Sequence, residues 1–298
     1  MKVGVIGAGK WGKKILNVLK EISEIEMICY RGSNDTKSWL DINFPHTKLT
    51  HDYRDILENE SIETVVISTP ISTHFKIGKD SIIAGKNIFL EKPLASNSIE
   101  CEELLGIETN AKIFIGHIFL YNPSFLYLKK LLSDEQVVSV ELSWNKYGTF
   151  EENIIFNLLS HEISILGNLF SFDFSNIQII QAQGHISNMD ILEISMLVKN
   201  TIDCTIQINR VSHEKNKRLR VHCASGITYN LLGRELFKKS TKNKNMELIY
   251  NNNKDLIESE FSFFFKCING KEEIITDLEF GSNVVKSLEE IELVLENN

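Results

Sequence analysis

The first twelve residues, Met1-Lys-Val-Gly-Val-Ile-Gly-Ala-Gly-Lys-Trp-Gly12, constrain this chain more than any other stretch. Val3 to Ile6 is a short apolar run that predicts a buried parallel strand, and Ile15, Leu16 and Leu19 predict a helix behind it. Between them Gly7, Gly9 and Gly12 spell G-x-G-x-x-G, and strand, glycine turn and helix in that order is the context a dinucleotide-binding turn needs. Gly7 allows the tight turn. Gly9 lets the backbone of the turn, with Ala8, Lys10 and Trp11, approach a pyrophosphate, and Gly12 lets helix and strand pack closely. The phosphates would sit at a helix N-terminus, where unpaired N–H groups and the helix dipole favour an anion. Trp11 is not a fingerprint residue, and its place in the turn predicts a shield over the cofactor.

The chain has 298 residues, enough for two domains with sizeable cores. A formal net charge of -8 and no block of Lys or Arg argue against a nucleic-acid partner. Cys29, Cys101, Cys204, Cys223 and Cys267 are scattered and odd in number, which predicts reduced, buried thiols and no metal site. The fingerprint begins almost at Met1, leaving no room for a signal peptide, and no apolar run is long enough to span a membrane. A cytoplasmic protein without a membrane partner is expected.

Ile25 to Tyr30 reads as the second strand. NAD-specific sites carry an acidic residue at its end to bind the ribose 2′-OH. Here Tyr30-Arg31-Gly32-Ser33-Asn34 offers none before Asp35. Arg31 and Ser33 suit a 2′-phosphate, so the NAD(P) reading leans to NADP. Asp52 to Glu60 predicts a short helix, and Thr64 to Ser68, Asn87 to Leu90 and Ile113 to Ile118 predict further strands. Ser72 or Thr73 can cap the helix that carries His74. Strands apolar on both faces, alternating with helices, argue an α/β doubly wound parallel sheet of the Rossmann type over residues 1–120.

Thr69-Pro70 with His74, Ala84-Gly85-Lys86 and Glu91-Lys92-Pro93-Leu94-Ala95 resemble the Gfo/Idh/MocA oxidoreductases, the family of glucose-fructose oxidoreductase and inositol dehydrogenase. Gly116-His117 with Tyr121-Asn122-Pro123 resembles its next motif, and Asn157 to Ser164 its histidine helix. The likeness runs through nearly the whole chain in the family's order. It implies that Thr69, Pro70, His74, Glu91 and Lys92 lie about the cofactor, and that Lys92 and His161 are catalytic.

Beyond Asn122-Pro123 the pattern changes. Val137 to Tyr147 alternates apolar and polar residues, and similar runs follow at 177–185, 191–198, 201–209, 219–224 and 227–231. Residues 121–298 therefore predict an α+β domain on a mostly antiparallel open sheet. The resemblance implies that this sheet carries a homodimer or homotetramer interface. Thr241 to Lys254, polar and Asn-rich, predicts a mobile connection. A closing helix over 277–295 is expected to pack back toward the first domain.

Lys92 ends a predicted parallel strand, the edge at which such sheets place ligands. Pro93 keeps it out of helical geometry, and its ammonium could stabilise a developing alkoxide. Glu91 could orient Lys92 or cap nearby backbone donors. In the helix predicted over 153–170, Asn153, Asn157, His161, Ser164 and Asn168 recur at helical spacing and predict one polar stripe, like the wall of a polyol-binding cleft. His161 matches the family's acid/base histidine. Asn157 stands where the family commonly has Asp, and cannot supply a charge. Glu162 does not replace it, lying about 100° round the helix from His161. Leu120 stands where many relatives carry Arg.

Tyr121 and Asn122 are candidates for substrate contact, or Asn122 and Pro123 simply start a helix. Arg210 to Arg218 is the densest basic cluster. It reads as a solvated hairpin or subunit contact, with a diphosphate contact as the sharper option. These residues predict hydride transfer between nicotinamide and a secondary alcohol or ketone of a sugar, nucleotide sugar or cyclitol. The alternatives are a non-catalytic NAD(P)-binding sensor and a C=N/C=C reductase of biliverdin-reductase type.

Overall fold

The computed structural model of the chain describes residues 1–241 and 245–297. The chain forms two compact units, Met1–His117 with Asp255–Val285, and Ile118–Lys254 with Lys286–Asn298.

The first unit is built on six strands, β1 (Lys2–Ile6), β2 (Glu24–Cys29), β3 (Lys48–Thr50), β4 (Thr64–Ile67), β5 (Asn87–Glu91) and β6 (Ile113–Gly116). All pair in parallel, in the order β3-β2-β1-β4-β5-β6. The order reverses beside β1 and β4, and the crevice beyond the C-terminal strand ends there is where such sheets hold ligands. Every residue of β4 is buried, as its unbroken apolar run predicts. Helices α1 (Lys10–Ile22), α2 (Asn34–Asn43), α3 (Arg54–Leu57), α4 (His74–Ile83) and α5 (Ser98–Leu105) make the crossovers. The helix expected over 52–60 is only the short α3, since Asp52 spends its carboxylate on Arg54.

Residues 255–285 belong to this first unit, whereas the sequence reading assigns everything after residue 120 to the second domain. The reason is an aromatic face. Phe89 of β5 stacks on Phe261 at 4.3 Å and on Phe114 of β6 at 5.4 Å, while Phe264 meets both strand rings edge-on. The covering helix, Leu256–Ile268, starts on Asp255, whose carboxylate accepts from the N–H groups of Ile257 and Glu258. A Cβ at Gly281, in the closing helix Leu278–Glu296, would lie 3.1 Å from Ile115 and Leu94. That helix divides between the units after Val285.

The second unit holds an eight-stranded sheet ordered β14-β13-β12-β11-β7-β10-β9-β8. Its strands are β7 (Val137–Tyr147), β8 (Phe174–Gln183), β9 (Ile191–Val198), β10 (Ile202–Asn209), β11 (Val211–Cys223), β12 (Thr228–Leu232), β13 (Glu235–Lys239) and β14 (Glu247–Asn251). Only β7 and β10 pair in parallel. Burial alternates along β9 and β10, giving one packed and one wetter face. The helix α6 (Pro123–Leu132) packs against β12, β13 and β14. Part of the connection expected at 241–254 is therefore the edge strand β14, and residues 242–244 lie outside the described residues. No helix among the described residues is long and apolar enough to cross a membrane.

The helix predicted over 153–170 is two pieces. Ile155–Leu159 winds as a π-turn, and α7 (Ser160–Leu169) continues as α-helix. The wider turn interrupts the regular α-helical period on which the polar stripe was read.

Candidate functional site

In the first unit the glycine turn is shaped by what a methyl group would meet. Gly7 has φ of +110°, and a Cβ there would lie 2.5 Å from the Ser68 carbonyl oxygen. A Cβ at Gly12 would collide with the Gly7 carbonyl oxygen, whereas one at Gly9 would meet nothing within 4 Å. Gly9 is the N-cap of α1. It has no side chain with which to cap the helix, and the first turn carries no acidic residue. An uncapped helix start with open space over Gly9 fits a pyrophosphate, which would be held by the backbone around Ala8, Lys10 and Trp11.

Trp11 does more than overhang this turn. Its indole Nε1–H donates to Glu91 Oε1 at 2.6 Å, joining the glycine turn to the end of β5. Glu91 is buried. That burial pushes its carboxyl up to about 7, with the Trp11 hydrogen bond and the Lys92 ammonium pulling the other way. Glu260, fully buried in the covering helix, is raised well above its ordinary value by burial and by Glu91. Lys92 follows as a half-buried residue whose peptide bond to Pro93 is cis.

His74 is buried, with Nδ1 2.7 Å from the Pro93 carbonyl and Nε2 2.8 Å from that of Thr69. It braces the Thr69-Pro70 loop against the loop after Lys92. Burial lowers its pKa despite both carbonyls. The helix cap predicted for Ser72 or Thr73 does not form. The Thr73 hydroxyl turns back to Thr69 and Pro70, and α4 has no side-chain cap. His117 is buried against the edge of Phe280, and burial with the nearby Lys92 charge holds it down to about 3. Arg31 and Ser33 are exposed. Ser33 starts α2 without using its hydroxyl as a cap.

In the second unit His161 lies in the first turn of α7, 7% exposed, in a notch between two aromatic rings. Its ring centroid is 5.0 Å from Phe119 and 5.2 Å from Trp144, and those rings meet edge-to-face at 5.5 Å. Ser164 donates to the His161 carbonyl at 2.8 Å.

The remaining stripe residues bond to separate partners. Asn153 accepts from the Ile155 N–H and donates to Glu292, and Asn168 accepts from Lys129. Asn157 is half-buried in the π-turn, and its carbonyl accepts from Ser160 Oγ. Tyr121 is 2% exposed. Asn122 caps α6 by accepting from the Ser124 N–H, and its amide donates to the Gly233 carbonyl at 2.9 Å. Its visible work is the helix start that Asn122-Pro123 allowed.

Two basic residues read as solvated are withdrawn from solvent, Arg210 fully and Lys217 in large part. Arg210 donates to Asp190 at 3.0 Å and to the carbonyls of Thr149, Glu152 and Met189, fastening the loop that leads into the histidine segment. Burial would raise the Asp190 carboxyl. Hydrogen bonds from Ser187, Ile186 and His185 instead hold it well below the carboxylate range. Lys217 pairs with Glu162, and its ammonium lies 4.3 Å from the Phe119 centroid and 4.0 Å from that of Trp144. A period-two reading could have found it. Lys217 shares its strand face with Leu219, Val221 and Cys223, all buried.

Among the described residues no group of three or more His, Cys, Asp or Glu is placed to hold a metal ion. Residues 1–117 match the model of an oxidoreductase family with an NAD-binding Rossmann fold, GFO_IDH_MocA. The chain is 29% identical over 156 residues to the scyllo-inositol 2-dehydrogenase (NADP(+)) IolW of Bacillus subtilis (strain 168), covering 49% of this chain and 42% of that protein. It spans about half the length of the curated relatives it matches. In fold it matches the UDP-N-acetylglucosamine 3-dehydrogenase GnnA from Acidithiobacillus ferrooxidans, with a TM-score of 0.87 at 18% identity, covering 100% of this chain and 98% of that one. It also matches a levoglucosan dehydrogenase in complex with NADH, with a TM-score of 0.87 at 16% identity, covering 100% and 97%. The glycine turn and the Glu91-Lys92-Pro93 strand end both lie within residues 1–117, the part of the chain that matches the NAD-binding Rossmann model of the Gfo/Idh/MocA oxidoreductases.

Proposed function

We propose that the chain is an NAD(P)-dependent dehydrogenase that moves hydride between the nicotinamide and a secondary alcohol or ketone carbon of a sugar, nucleotide sugar or cyclitol. The observation that carries this is the fit of the glycine turn to a dinucleotide, with Lys92 following directly on the C-terminal end of β5. When bound, the cofactor supplies the hydride chemistry. Lys92 polarises the reacting oxygen, and His161 takes or returns the hydroxyl proton. Trp11 and Glu91 fix the turn to the strand that presents Lys92. Asn157 and Tyr121 contact substrate hydroxyls. The named activities of IolW and GnnA, on a cyclitol and on a nucleotide sugar, support the substrate class.

NADP is the preferred cofactor in this reading. Arg31 and Ser33 are exposed after β2, with no carboxylate before Asp35. IolW is named for NADP(+). The second unit's sheet would carry a homodimer or homotetramer, and the protein would work in the cytoplasm.

A panel of cyclitols, sugars and nucleotide sugars, followed at the reduced-nicotinamide band, tests the reading. Turnover that falls at least a hundredfold in both Lys92→Met and His161→Gln is expected. Tight cofactor binding with no turnover on any of them would favour the second reading, a cofactor-binding sensor, for which Asn157 in place of Asp speaks. Undiminished reduction of a C=N or C=C substrate by both variants would favour a biliverdin-reductase-like activity.

A further inference from the structure

Lys217 and Glu162 stand out because burying an ion pair is costly, and apolar residues of the same size would serve stability as well or better. The Glu162 carboxylate is 1% exposed and the Lys217 side chain 14%. Burial pushes the ammonium down and the carboxyl up, each opposed by the other's charge. Register sets Lys217 directly opposite Trp144 on the adjacent strands β11 and β7. The ammonium thereby faces the two rings, Trp144 and Phe119, that enclose His161. Glu162 is the residue after His161 on α7 and points to the Lys217 side. A cavity of about 20 Å³, room for one water, is lined by Asn122, Glu162 and Lys217.

We propose that Lys217 and Glu162 are a positioning pair for His161, holding the Phe119–Trp144 notch around the imidazole and setting its proton affinity by their opposed charges. The inference rests on the reading of His161 as the proton relay. The ammonium disfavours an imidazolium and the carboxylate favours it, both acting more strongly in this largely buried site than they would in bulk water. Among the described residues, other ionisable groups near the notch include Lys146, 5.8 Å from the Trp144 centroid, and Arg218, which lines the cavity. Cys204 lies within reach of Glu162 but stays a thiol, pushed up to about 12 by burial and then by that carboxylate.

The test is NMR titration of isotopically labelled histidine, with His161 assigned by its loss in His161→Gln. Lys217→Met should raise the His161 midpoint and Glu162→Gln should lower it, each by about one unit, roughly tenfold in proton affinity. Lys217→Arg should stay near the wild type. Packing alone does not give shifts of opposite sign, so midpoints that move together or not at all overturn the proposal. A lone buried charge could unfold either single variant. Lys217→Met with Glu162→Gln leaves none, and its readout is the notch. The His161 ring protons, displaced by two neighbouring aromatic rings, should move toward free imidazole, and unmoved signals overturn the proposal. These measurements need no substrate. A protein that shows the shifts but turns nothing over keeps the positioning pair and loses the dehydrogenase reading. If both hold, Lys217→Met should displace the pH profile of kcat and leave KM for the cofactor unchanged.

Discussion

A methyl group means different things at Gly9 and at Gly12. At residue 12 it would strike the Gly7 carbonyl and lie 2.8 Å from Ser68 Oγ, so the turn must open. At residue 9, where φ is -70° and the space is empty, the backbone accepts alanine without strain, and the methyl intrudes only on a phosphate. Gly12→Ala should lower both Tm and cofactor affinity. Gly9→Ala should keep Tm within about 4 °C, given a cap change of about 0.5–1 kcal/mol, and lose affinity by about tenfold or more. Calorimetry and cofactor titration check both, and equal losses of Tm would refute the contrast. Arg31→Ala should weaken NADPH by roughly tenfold, about 1.4 kcal/mol, for the loss of one charge-assisted contact. NADH should be nearly unaffected, and parallel loss of both would remove the NADP preference.

Between elements, the Arg210–Asp190 pair carries more than its two charges. It ties the start of β11 to the loop before the π-turn through the carbonyls of Thr149 and Glu152, and to the turn before β9 through that of Met189. Arg210→Met leaves Asp190 buried and unpaired, and should cost about 3–5 kcal/mol in urea unfolding. A loss under about 1 kcal/mol would show that the loop holds itself. The parallel sheet was legible because its strands are unbroken apolar runs bounded by glycine, proline or helix caps, and the family motifs fell in order on them. The π-turn at Ile155–Leu159 was not legible, because sequence spacing presumes 3.6 residues per turn and the wider turn leaves no local mark. Lys217 was hidden by company. Within a run of charged residues its alternation with Leu219 and Val221 went unused. The pairing of Phe89 with Phe261 joins residues far apart in sequence, and no spacing rule predicts such a partner.

Over the whole molecule, buried ionisable groups give stability a pH dependence whose sign differs from group to group. Glu91 is near 4.5 when exposed and about 7 when folded. Between those values the folded chain holds the extra proton. The stability it contributes is full below about pH 4.5 and is lost as the pH rises through about 7. His117 acts oppositely. Its folded value near 3 lies below the ordinary 6.5, so its share is present above pH 6.5 and lost as the pH falls toward 3. Glu91→Gln removes the first effect, together with the charge that helps raise Glu260, and leaves that of His117. Urea unfolding at pH 5, 6.5 and 8 should show the wild type losing ground to the variant with rising pH, by up to about 1.4 kcal/mol per unit. A difference that does not vary with pH would mean that Glu91 does not titrate in this range.

The covering helix Leu256–Ile268 has one more consequence, in the order of synthesis. Strands β5 and β6 leave the ribosome early, but Phe261 and Phe264, which close the aromatic face they share, follow after the entire second sheet has been made. Domains that fold on the ribosome do so as their own residues emerge. Here the nascent dinucleotide unit must wait, exposing Phe89 and Phe114 to chaperones through most of translation. A stop codon after His117 should therefore yield a sticky, dye-binding fragment without cooperative unfolding, and a native-like melt from that fragment would show that the early strands need no lid.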